Sequence, residues 1–106
     1  DLRDYAWYDV TQNSPYGTKE VAQLLPNDFG LYDMHGNVYE FVTDWYSSSF
    51  PSSSVDPWDS GSSSQRPSRG GAWDFGASSM HASYRGFTNN PQDRAYRVGL
   101  RLIILE

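Results

Sequence analysis

The chain contains no cysteine. That absence excludes disulfides, thiolate metal sites and a cysteine nucleophile together. It leaves the compartment open, because a secreted bacterial protein can do without disulfides. Histidine is scarce as well. His35 and His81 are the two present, too few to build a three-histidine metal site. Positive charge is short: 8 Lys and Arg stand against 13 Asp and Glu, for a formal net charge of −5. Nucleic acid demands a basic footprint, and anionic membranes attract basic segments, so neither is an expected partner. Long apolar runs are also missing. Leu100 to Leu105 is interrupted by Arg101 and is far too short to span a bilayer. No membrane insertion by this chain is expected. No Asn-x-Ser/Thr sequon occurs, and no secretory leader is visible where Asp1 opens a charged, aromatic segment.

Aromatic residues are plentiful, at 16% of 106 residues, with 4 Trp, 8 Tyr and 5 Phe. A chain this long fits one small domain that buries roughly two-thirds of its unfolded surface. Large rings can carry such a thin core, and they are also preferred anchors of binding surfaces.

The local pattern predicts few regular elements. Pro15, Gly17, Pro26, Asn27 and Gly30 punctuate residues 1–30, leaving room for one helical turn at Thr18 to Leu25. In Asn37 to Tyr46 (NVYEFVTDWY) the residues Tyr39, Phe41, Thr43 and Trp45 share one face at period 2. A helical stripe through Val38, Phe41, Val42 and Trp45 also fits, but the β-branched and aromatic content favours a strand. Ser47 to Ser64, rich in Ser with Pro51, Pro57 and Gly61, cannot bury a core and reads as a surface loop. Arg69 to Trp73 (RGGAW) reads as a short strand whose glycine pair allows close backbone approach. Asp74 to Arg97 reads as irregular. Val98 to Leu105 is apolar on both faces, which predicts a central strand.

Three segments carry a resemblance. Phe29 to Tyr46 (FGLYDMHGNVYEFVTDWY), Arg69 to Trp73 (RGGAW) and Val98 to Leu102 (VGLRL) occur in that order. Together they resemble the FGLYDMxGNVWEWxxDWY signature, the RGG motif and the terminal GFRL of the formylglycine-generating-enzyme (sulfatase-modifying factor) family. Tyr39 and Phe41 stand where two tryptophans are usual. The resemblance implies an irregular α+β domain of the C-type-lectin-like class, with short antiparallel strands holding long loops. It implies that residues 1–106 form the C-terminal part of one such domain, whose N-terminal part would be a further partner. It also favours an extracellular or cell-surface location.

What the resemblance implies for catalysis is negative. The family's copper-binding cysteines fall, aligned on Arg69-Gly70-Gly71, on Phe75 and Met80. Neither can form a thiolate. A related branch, the sulfoxide synthases, places iron on three histidines drawn largely from another domain. An enzyme domain, degenerate or acting as the substrate-binding part of a larger enzyme, is therefore the alternative reading.

For cofactors the resemblance implies none, or calcium. Some family members bind calcium in the loop of the first motif. Carried over by position, the ligands are the side chains of Asp33 and Glu40 and the carbonyls of Gly36 and Val38. The plainer reading is an Asx turn at Asp33 and an arginine partner for Glu40.

The richest segment is Asp74 to Arg97. Tyr, Phe and Trp offer rigid contact area, while Ser, Gly and Asn offer adaptable hydrogen bonds, as in an antibody paratope. The segment also resembles the variable region of diversity-generating-retroelement proteins, a branch of the same fold. There a fixed skeleton, here Ala77, Arg85, Pro91, Arg94 and Gly99-Leu100-Arg101, separates diversified positions. The candidate ligand-binding residues are Trp73, Asp74, Phe75, Gly76, Ser79, His81, Tyr84, Phe87, Thr88, Tyr96 and Arg97. The leading expectation is a non-catalytic module that recognises a protein or glycan through residues 74–97. Two plainer readings compete: the rings are core residues, and the arginines (Arg69, Arg85, Arg94, Arg101) pair with carboxylates such as Asp44, Asp74 or Asp93 to fix loops.

Overall fold

A computed structural model describes residues 1–42, 65–84, 88–89 and 96–104. Six short strands organise them: β1 (Ala6–Trp7), β2 (His35–Gly36), β3 (Tyr39–Phe41), β4 (Arg66–Arg69), β5 (Thr88–Asn89) and β6 (Val98–Gly99). Single 3₁₀ turns occupy Leu2–Asp4 and Ala77–Ser79. β1 and β2 form a parallel pair, and the other four form a sheet in the order β5-β4-β3-β6. In that sheet β3 lies antiparallel to β4 (Glu40 opposite Arg69) and parallel to β6 (Tyr39 opposite Val98). β4 and β5 are antiparallel, with Pro67 opposite Thr88. The short antiparallel strands expected are present, and parallel pairs join them.

Aromatic and small residues make the core. Ala6, Tyr8 and Met80 cluster, and Leu2 and Phe75 pack against them. Tyr39 and Ala72 are fully buried. Loops are fixed by polar clips in place of helices. The Thr11 hydroxyl donates to the Ala6 carbonyl at 2.8 Å and accepts from the Tyr8 amide at 2.9 Å. The buried Asn37 side chain accepts from the Lys19 amide at 2.9 Å and donates to the Lys19 carbonyl at 3.0 Å. In this way it imitates a strand partner for a segment that has none among the described residues.

Those clips correct the helical turn expected at Thr18 to Leu25. The segment is extended around a turn at Val21–Ala22, where Ala22 has φ +60°. Its Ala22 amide is held by the Asp33 carboxylate and its Leu25 amide by the Asp4 carbonyl. Long-range partners outcompete the local i→i−4 bonds a helix needs.

Three strand readings are also corrected. The strand of the first motif starts at Tyr39, not Asn37, because Asn37 sits at φ +64°, a left-handed conformation that no strand contains. Residues 43–46 lie outside the described residues. The RGGAW segment is not itself a strand. The strand is Arg66–Arg69, and Gly70 and Gly71, at φ +97° and +80°, turn the chain out of the sheet. The terminal strand is Val98–Gly99 alone, at the end of the sheet order and not at its centre. Beyond it Leu100, Leu102, Ile103 and Ile104 are exposed, Ile104 by 94%. The two apolar faces are real, but no described residue covers them. The Ser-rich loop 47–64 lies outside the described residues.

Candidate functional site

The turn after β4 and the approach to β6 meet side by side. The first segment is anchored by its backbone: the Trp73 amide donates to the Asn37 carbonyl at 2.8 Å, and the Phe75 carbonyl accepts from the Asp9 amide at 3.1 Å. The second is anchored by the Tyr39 amide, which donates to the Arg97 carbonyl at 2.7 Å. Between them the Arg97 Nε donates to both oxygens of Asp74, at 3.0 and 2.7 Å. These hydrogen bonds raise the Arg97 pKa further, keeping the guanidinium charged.

Rings flank the pair. The Arg97 Cζ lies 4.4 Å from the Tyr96 ring centroid and 5.4 Å from that of Phe75, within cation–π range. Tyr96 tilts against Trp73 at 6.5 Å, and Phe75 meets the buried Tyr39 edge-on at 5.4 Å. Burial pushes the Tyr39 hydroxyl up to about 12, with Tyr84 and Asp74 adding to the rise. Of this cluster Tyr96 is 67% exposed. The result is a charge-balanced platform with an aromatic outer face and a rigid polar spine.

Five of the candidate ligand residues, Trp73, Asp74, Phe75, Tyr96 and Arg97, are thus brought together. Others are not. Ser79 is buried in the 3₁₀ turn beside the core Met80. His81 is exposed just past that turn, Tyr84 is half-buried, and Gly76 is half-buried near the Asp9 carboxylate. Thr88 lies on β5. Phe87, and with it Arg85, Pro91 and Arg94, lies outside the described residues. The plainer readings hold for some residues: Phe75 belongs to the core margin, and Asp74 pairs with an arginine, Arg97.

A second concavity, about 450 Å³, gathers all four calcium candidates: Asp33, Gly36, Val38 and Glu40. Glu40 is already engaged. Arg101 donates to both its oxygens at 2.9 Å and to the Tyr32 carbonyl at 2.7 Å, and these bonds raise the Arg101 pKa. The expected arginine partner for Glu40 is therefore present. Asp33 makes no Asx turn; its Oδ2 accepts from the Ala22 amide at 3.0 Å. Its Oδ1 is buried with no partner among the described residues. No group of three or more His, Cys, Asp and Glu that could hold a metal occurs among the described residues. A cation here would lean on backbone carbonyls, which suits calcium better than zinc.

Sequence reasoning missed Asn37 as an organising residue, and it named Arg97 as a ligand contact without its pairing to Asp74. Asn37 carried a signal, since Gly-Asn after a turn favours positive φ. Arg97 carried none, because its partner lies 23 residues away.

The model of the sulfatase-modifying factor enzyme 1-like domain matches residues 2–105. The chain belongs to this family. A formylglycine-generating enzyme of Thermomonospora curvata is 31% identical over 106 residues, covering 89% of this chain and 33% of that protein. Among solved structures, Treponema denticola variable protein 1 matches with a TM-score of 0.74 and 34% identity, over 93% of this chain and 35% of that one. PvdO from Pseudomonas aeruginosa matches with a TM-score of 0.80 and 28% identity, over 92% and 38%. The fold is therefore the C-type-lectin-like fold of formylglycine-generating enzymes, and the chain spans about a third of these relatives' length. The family includes enzymes and a variable protein. Where the resemblance puts the family's two cysteines, this member holds Phe75, edge-on to Tyr39, and Met80, 4% exposed in the core.

Proposed function

We propose that this chain is a non-catalytic ligand-binding module, built as a retroelement-diversified variable protein. Its ligand is a protein or a glycan, met by the Trp73-Asp74-Phe75 and Tyr96-Arg97 platform. The convergence of two sequence-distant candidate segments around one ion pair carries this reading. A ring held against a guanidinium loses little freedom on binding, so contact area comes at low entropic cost. Because Asp74 already neutralises Arg97, the platform has no unpaired charge to desolvate, which suits an uncharged polar or aromatic epitope. Placing a hydrophobic ring and a buried thioether at the cysteine positions leaves no metal-thiolate chemistry for these residues to perform.

The test begins with the gene's neighbourhood. A near-identical repeat that differs at adenines supports diversification. A single reading frame that adds a histidine-rich domain, with no such repeat, moves the assignment to the substrate-binding part of a larger enzyme.

The orphaned Asp33 Oδ1 favours a second property, calcium binding at Asp33, Glu40 and the carbonyls of Gly36 and Val38. A bound calcium would cross-link the 30–40 loop, with Glu40 sharing its remaining lone pairs between cation and Arg101. Calorimetry should register heat on calcium addition, and a chelator should lower the melting temperature. Silence in both measurements removes this property.

A further inference from the structure

The register of the sheet sets one fixed cation against the calcium candidates. Glu40 on β3 lies opposite Gly99 on β6, so Arg101, two residues further on, falls beside the Glu40 carboxylate. The Arg101 Nε donates to one carboxylate oxygen and its Nη2 to the other, both at 2.9 Å. Nη2 also donates to the Tyr32 carbonyl at 2.7 Å. These three bonds hold the guanidinium in place. Both partners are partly shielded from water, with side-chain exposures of 33% for Arg101 and 22% for Glu40. Asp33, Glu40 and Arg101 together line the 450 Å³ concavity.

A calcium site wants carboxylates, and the arginine draws on this one in two ways. A fork-to-fork pair uses a lone pair on each Glu40 oxygen, so the bidentate grip that calcium can take from a carboxylate is closed. The guanidinium also keeps its charge at every working pH. A fixed positive charge on the same carboxylate repels a second cation, and partial burial weakens the screening of that repulsion.

We infer that Arg101 is a tethered competitor for calcium, which sets the affinity of the concavity by holding Glu40 against the ion. The inference rests on the calcium reading of Asp33, Glu40, Gly36 and Val38, and it gives a direction to a residue outside that ligand set. Coupling of this kind is reciprocal. What Arg101 takes from calcium affinity, bound calcium takes from the Arg101 bonds to Glu40 and Tyr32, and so from the hold on the chain just past β6. An arginine that only orients Glu40 for the ion would act in the opposite sense.

Calcium calorimetry on the full-length gene product, as parent and as Arg101→Gln, tests this. Glutamine keeps a hydrogen-bond donor and removes the charge. The expected result is a Kd lower by about tenfold or more in Arg101→Gln, or heat in the variant where the parent gives none. A parent that binds calcium and a variant that binds it no tighter overturn the inference and leave the calcium reading standing. No heat in either protein overturns both. A second measurement needs no substitution. In a parent saturated with calcium, exchange of the Arg101 Nε proton with water, followed by NMR, should be faster than in the calcium-free protein. An unchanged or slower rate overturns the inference, whether or not Arg101→Gln folds.

Discussion

Gly36 shows how little room single residues have. Its φ is +80°, and a methyl group there would be driven into the Trp7 carbonyl oxygen of the adjacent strand β1. Backbone, unlike a side-chain tip, cannot step aside. Gly36→Ala should cost more than about 2 kcal/mol in urea unfolding, through strain and overlap together. Tyr39 gives a pH signature. Its hydroxyl titrates at about 12 in the fold and at 10.0 as a free side chain, so the native state holds the proton longer. Stability from this group is complete below pH 10 and is lost as pH rises through 12. Between those values the unfolding free energy read from urea titrations should fall, by up to about 1.4 kcal/mol per pH unit. Tyr39→Phe should abolish that slope; an unchanged slope would place its origin elsewhere. At this scale the sequence was legible where chemistry is local. The arginine partner of Glu40 and the loss of both thiolates could be read directly. The Asp74–Arg97 pair could not, because a 23-residue separation with no period leaves no trace in composition.

Elements in this fold are short because turns and clips, not strand length, set the path. Thr11 is an example: its hydroxyl closes the turn after β1 by bonding both Ala6 and Tyr8. Thr11→Val keeps the shape and removes both bonds, so it should cost about 1–3 kcal/mol. A loss within error would mean water replaces the hydroxyl. The Trp73 to Arg97 platform makes the opposite prediction. Tyr96→Ala should abolish ligand capture, measured by surface plasmon resonance once a ligand is in hand, while the melting temperature moves by no more than about a degree. Equal loss of folding would mark the ring as core. Strand existence was legible in the first motif, where Tyr39 is fully buried as its period-2 face predicts. Strand extent was not. β4 hides in Arg66-Pro67-Ser68-Arg69, a polar run that no hydrophobic pattern reveals, and it forms because Val42 and β5 supply partners for its backbone.

Across the whole molecule, apolar periodicity in the last strand reported burial that the described residues do not provide. Leu100, Leu102, Ile103 and Ile104 are exposed among the described residues. Taken alone at micromolar concentration, the 106-residue chain should self-associate and bind a hydrophobic dye. Light scattering that reads a clean monomer with no dye signal would contradict this. No helix among the described residues is long and apolar enough to cross a membrane. The C-type-lectin-like fold was legible from three motifs in order; the concavity walled by Leu31, Tyr32 and Leu100 was not, because no single segment contains it.

The parallel pairing of β3 with β6 also sets a timetable. Tyr39 finds its ladder partner at Val98, 59 residues further along the chain. A ribosome adding about 10 residues per second would need roughly 6 s to deliver that partner. For those seconds the future core ring of the sheet is available to chaperones or to neighbouring nascent chains. The Trp73-to-Arg97 platform inherits the same delay, since Arg97 emerges beside β6: its two halves meet only as the last of the described strands is laid down.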